Sequence, residues 1–137
     1  MQRTALGAAT CALMPSCLAH GATRRGANDK LNVAGIGVGG RGGAVIDEIA
    51  SVGHNIVALC DVDERHAAKE FAKYPNAKRF TDYRVMLDKL RKDVDGVVIG
   101  TPDHSHAVIG MEAMRRGKHV YCEKPLAHSV HEVRTLM

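Results

Sequence analysis

The sequence is poor in aromatic residues and has no dense run of either charge. Its 137 residues hold two Phe, three Tyr and no Trp, too few to build the stacking platform of a nucleic-acid binder. Lys and Arg total 19 against 15 Asp and Glu, a formal charge of +4. Arg3, Arg24 and Arg25 supply three of those cations, which leaves the rest nearly neutral, so nucleic acid is not an expected partner. Four cysteines, Cys11, Cys17, Cys60 and Cys122, form no C-x-x-C pair and no zinc spacing, which argues against a disulfide scaffold and a structural metal. No apolar run reaches the roughly 20 residues that span a bilayer.

Residues 1–30 also lack apolar periodicity and carry Pro15 inside their only apolar run. They read as a disordered extension or as a weak export signal. Arg3, the Ala/Leu/Met stretch through Leu18 and the small residues Ala19, Gly21 and Ala22 fit a signal. One basic residue before the apolar run is too few for a twin-arginine pattern, so the cytoplasm and the periplasm both stand as expectations.

What is present begins at residue 31, with 45% hydrophobic and 25% charged residues overall, ordinary values for one soluble globular domain. Leu31 to Ile36 reads as a strand ending in glycines, and Ala44, Val45, Ile46, Ile49 and Ala50 follow at helical spacing. Asn55 to Cys60 repeats the strand, and Asp63 through Lys73 the helix. Lys78 to Phe80 is a third strand candidate, after which Thr81 can cap a helix through about Arg91. Val94 to Ile99 is a fourth, near-continuous apolar strand. A helix from Asp103 or Ser105 to about Arg116 and a strand at His119 to Cys122 come next. Ser129 with Glu132 forms a capping-box pattern for a last helix. Continuous apolar strands alternating with amphipathic helices predict a doubly wound α/β fold, a parallel sheet covered on both faces and incomplete at its C-terminal end. Ligands of such sheets bind at the C-terminal strand ends, near the switch point in strand order.

Gly35-Ile36-Gly37-Val38-Gly39-Gly40 fits G-x-G-x-x-G between a strand and a helix. In that frame Gly35 permits the turn, Gly37 lets a pyrophosphate approach the backbone and Gly40 allows close helix packing. Asp61 ends the second strand 21 residues beyond Gly40, where a carboxylate can accept from an adenosine ribose. An acid there favours NAD over NADP, while Arg41 and Arg65 keep NADP open. Glycines that merely turn the chain, with Asp61 as a helix cap, and a methyltransferase with a similar first turn are the competing readings at this point.

Thr101-Pro102-Asp103-His104-Ser105-His106 after the fourth strand and Glu123-Lys124-Pro125 after the fifth resemble the TPN-xx-H and EKP motifs of the glucose-fructose oxidoreductase / myo-inositol dehydrogenase (Gfo/Idh/MocA) family. The strings TPDHSHA and GKHVYCEKPL are similar to exported members of that family, and the likeness spans residues 31–137. Asp103 stands where many members carry Asn. The resemblance implies an NAD(P)-binding Rossmann domain contacting the dinucleotide through Gly35, Gly37, Val38, Gly39, Gly40, Arg41, Asp61, Thr101, Pro102, His106, Glu123, Lys124 and Pro125. It also implies a catalytic Lys124, directed into the cleft by the proline after it, oriented by Glu123 and partly buried beside the nicotinamide. That lysine would move a proton while a hydride passes between a sugar or cyclitol carbon and the cofactor. The sugar site and the lysine's catalytic partners belong to a second α/β domain in the family. A non-catalytic dinucleotide-binding module is the alternative expectation. EKP argues against the methyltransferase. His104 and His106 as H-x-H admit a metal reading with no evident third ligand, whereas Cys122 reads as core, and His119, His128 and His131 as surface or packing residues.

Overall fold

The computed structural model describes residues 30–137; the export-signal reading of residues 1–30 falls on residues 1–29, outside the described ones, apart from Lys30. Five parallel strands, β1 (Asn32–Ile36), β2 (Asn55–Cys60), β3 (Lys78–Phe80), β4 (Gly96–Ile99) and β5 (His119–Cys122), lie in the order β3-β2-β1-β4-β5. Between and after them run α1 (Arg41–Ser51), α2 (Ala68–Lys73), α3 (Tyr83–Lys89), α4 (Asp103–Arg115) and α5 (Val130–Leu136). The doubly wound expectation is met, and the order reverses between β1 and β4, where the chain returns from one edge to start the other half.

Strand side chains alternate between faces, and here both faces are dry. Val33, Leu59 and Val98 point to a cluster with Val45, Ile46 and Phe71 of α1 and α2. Ala34, Cys60, Val97 and Ile99 point to the opposite cluster with Met86, Leu87 and Ile109 of α3 and α4. That two-sided burial is why the strands read as continuous apolar runs. Ile46, Leu59 and Ile99 are fully buried, each worth roughly 1.5–3 kcal/mol. The two outer strands are the exceptions: Lys78 and Arg79 of β3 are exposed, and Tyr121 of β5 is 51% exposed.

Several boundaries differ from the sequence expectation for local reasons. The second helix starts at Ala68 rather than Asp63, because the Asp63 carboxylate accepts the Arg65 and His66 amides and holds residues 64–67 in a turn. The cap of α3 is Asp82, not Thr81: Asp82 Oδ1 accepts the Arg84 amide at 2.8 Å. That helix also stops at Lys89, short of Arg91. β4 begins at Gly96, with Val94 buried just ahead of it. The Ser129–Glu132 capping box is formed on both sides.

Candidate functional site

A cleft of about 660 Å³ opens at the C-terminal ends of β1, β2 and β4, the place that the switch in strand order selects. Gly37, Gly39, Gly40, Asp61, Thr101 and Pro102 line it. Six of the expected residues therefore meet at one cavity.

The glycine frame shifts by two residues. β1 continues through Ile36, so Gly35 sits inside the strand, with the place of its missing Cβ against Val38 and Ile46 of the core. The turn is made by Gly37, at φ +77°, a conformation that side chains resist, and its amide donates to the Cys60 carbonyl at 2.8 Å. Close helix packing falls to Gly42, not Gly40. A Cβ on Gly42 would come within 2.2 Å of the Gly37 carbonyl oxygen and 3.2 Å of Gly100 Cα, whereas one on Gly40 would meet nothing nearer than His66 at 3.8 Å. The motif in this fold is Gly37-x-Gly39-x-x-Gly42. Its spacing is present in the sequence, but choosing it requires knowing where the strand ends. Val38 is likewise a core residue with its side chain fully buried among Ile46 and Phe71, which restricts any contact with a ligand to its backbone.

Asp61 stands beside the turn. Its Oδ2 accepts the Gly39 amide at 2.9 Å and its Oδ1 accepts the Asp63 amide at 3.0 Å. Asp61 is therefore not the cap of the helix that follows: α2 starts at Ala68 with Ala67 at its N-cap and no side-chain cap, and Asp61 instead ties the glycine turn to the Asp63 amide. His66, which the sequence does not single out, covers the Cβ side of Gly39, its Cδ2 only 2.1 Å from where a Cβ would stand. The signal that could have found it is its place in the turn after Asp61.

Thr101 contributes a buried hydroxyl oxygen with no hydrogen-bond partner among the described residues. On the far side, the Glu123 amide donates to the Ile99 carbonyl at 3.0 Å, and Arg41 Nε donates to Glu123 Oε1 at 3.2 Å. Arg41 therefore engages Glu123 across the head of α1. The Lys124–Pro125 bond is cis. Glu123, Lys124 and Pro125 adjoin the end of β4 but are not among the residues lining the cavity. Lys124 is exposed and makes no hydrogen bond or ion pair among the described residues, so the partial burial expected of it is absent.

His106 differs most from expectation. It is 1% exposed, with Nδ1 2.6 Å from the Pro125 carbonyl oxygen and Nε2 2.7 Å from that of Thr101. Both ring nitrogens are spent on backbone, which leaves none for a cofactor or a metal. His104 lines the cavity instead. Among the described residues no three His, Cys, Asp or Glu side chains gather as a metal site, and no helix is long and apolar enough to cross a membrane. The Cys60 thiol, at the cleft floor, is pushed up to about 12 by burial first, then by the charges of Asp61 and Asp82. Burial followed by Glu123 raises Cys122, so neither is an activated nucleophile.

A family model described as "Oxidoreductase family, NAD-binding Rossmann fold" matches residues 31–137. The inositol 2-dehydrogenase of Rubrobacter xylanophilus is 35% identical over 116 residues, covering 82% of this chain and 32% of that protein. A glycosyl hydrolase family 109 protein of Solibacter usitatus is 34% identical over 115 residues, covering 77% of this chain and 26% of that protein. The structure of myo-inositol dehydrogenase from Lactobacillus casei in complex with NAD(H) and myo-inositol superposes with a TM-score of 0.71 at 28% identity, covering 79% of this chain and 32% of that one. The chain thus spans about a quarter to a third of the relatives it matches.

Proposed function

Because this chain belongs to the Gfo/Idh/MocA oxidoreductase family and carries its NAD-binding Rossmann domain, we propose that the cleft holds the nicotinamide dinucleotide of a dehydrogenase acting on a sugar or cyclitol hydroxyl. One observation carries this reading: a glycine turn with a positive-φ residue, and a carboxylate bonded to that turn, share one cavity at the switch point. The residues fit the group. Gly40 and the start of α1 offer amides and a helix N-terminus to a pyrophosphate, the Gly39 amide being held by Asp61, Asp61 offers an acceptor to ribose hydroxyls, and the unpartnered Thr101 hydroxyl lies in the loop beside them.

Asp61 favours NAD, since a 2′-phosphate beside it would meet a like charge. When bound, the nicotinamide supplies the hydride acceptor and donor. The chain's own contribution to that chemistry is Lys124, which holds or moves the proton of the reacting hydroxyl, and Glu123, which joins its segment to Arg41. Exposure of Lys124 leaves its amine open to a substrate on that side. The 137 residues by themselves, about a third of the length of the inositol dehydrogenases they match, are expected to bind NAD weakly.

Titration with NADH, NADPH and S-adenosylmethionine, followed through the dinucleotide's own fluorescence in this tryptophan-free chain and by calorimetry for the methyl donor, tests the reading. NADH binding tightest is expected; binding of S-adenosylmethionine alone would replace it with the methyltransferase.

A further inference from the structure

Lys124 presents a problem of placement. Its side chain is exposed and makes no bond among the described residues, yet a group that handles a proton must stand at a fixed place. What holds it is the backbone on either side. Glu123 is fixed by its amide to the Ile99 carbonyl and by Arg41. Pro125 has no amide hydrogen to offer, and its carbonyl meets His106 Nδ1 at 2.6 Å. The other nitrogen of that ring meets the Thr101 carbonyl at 2.7 Å. A single buried side chain therefore joins the loop that follows β4 to the loop that follows β5.

We propose that His106 is a positioning residue, a clasp that sets the Lys124–Pro125 segment against the Thr101–Pro102 loop by donating from both ring nitrogens at once. A carbonyl oxygen only accepts, so each contact is a hydrogen bond only where the nitrogen carries hydrogen, and both exist together only in the ring protonated at both positions. The two contacts, 2.6 and 2.7 Å, lie at the short end of the N–H···O range. Because His106 does not line the cavity, its effect on a bound dinucleotide passes through the two loops.

Two measurements on the 137-residue chain test this. Nitrogen-15 NMR of the His106 ring should show an N–H at both nitrogens, and an N–H at only one would overturn the clasp. His106→Gln reaches one carbonyl and not the other. It should weaken NADH binding roughly tenfold, by loss of a charge-assisted bond, and leave ADP-ribose, which lacks the nicotinamide, within about twofold. Equal losses for both ligands, or none for either, would contradict the positioning role. The NADH arm rests on the proposed function: a wild-type chain that bound neither ligand would sink that reading, while the ring spectrum would still decide the clasp, as it would if the variant failed to fold.

Discussion

Asp61 Oδ2 lies 2.9 Å from the Gly39 amide nitrogen, so the acid that follows β2 is bonded to the turn that follows β1. The two parts of the site fix each other, and the carboxylate's second oxygen is steadied by the Asp63 amide. Asp61→Ala removes the ribose acceptor and frees the turn amide. Its affinity for NADH should fall about tenfold, in the range of one lost bond to a charged group, and its preference over NADPH should narrow. Parallel titrations of the two dinucleotides check both; unchanged NADH affinity would remove Asp61 from the site.

The shifted glycine frame makes opposite predictions for two neighbours. Gly42→Ala pushes a methyl into the Gly37 carbonyl and toward Gly100, backbone that cannot step aside, and should cost about 3 kcal/mol, the upper range for overpacking. Gly40→Ala finds its nearest obstacle at 3.8 Å and should cost less than about 1 kcal/mol. Urea unfolding of both variants measures the difference. The reverse order would restore the earlier frame with Gly40 as the packing glycine.

Alkaline pH should loosen the fold in a definite window. Burial chiefly pushes the Cys60 thiol up to about 12, and burial with the Asp47 hydrogen bond does the same for the Tyr74 phenol. Each group binds its proton more tightly folded than unfolded. Their contribution is therefore whole below about pH 8.5, where an unfolded cysteine begins to titrate, and is lost as pH rises toward 12. The urea midpoint should decline from about pH 9 upward, and alkylation of Cys60 should be much slower in the native than in the urea-unfolded chain. A flat midpoint to pH 11 would contradict the burial account.

Arg41 and Glu123 span 82 residues of sequence, but Arg41 is 58% exposed at its side chain. Their coupling in a double-mutant cycle should be at most about 1 kcal/mol and should shrink with added salt. Stronger, salt-insensitive coupling would mean that the pair locks the Glu123 segment more firmly than His106 does.

The strands and their partners were legible in the sequence because two-sided burial writes itself as apolar runs: Val97, Val98 and Ile99 point alternately to two cores and none can be polar. Asp61 was legible for a similar reason, as a charge placed directly after such a run. The glycine register was not, since Gly35, Gly37, Gly39, Gly40 and Gly42 allow two frames and only the pairing of Ile36 with Cys60 and Ile99 decides between them. Nor could spacing reveal that His106 faces inward to two carbonyls, one of them 19 residues away. Its contacts depend on two loops meeting in space.

The central claim is that a nicotinamide dinucleotide sits at the strand ends between β1 and β4. Amide chemical-shift mapping of the 137-residue chain during an NAD titration tests it most directly. Shifts concentrated at Gly37, Gly39, Gly40, Asp61 and Thr101, and absent from the opposite strand ends near Asn55 and Lys78, are the predicted result. No saturable shifts, or shifts centred away from the glycine turn, would contradict it.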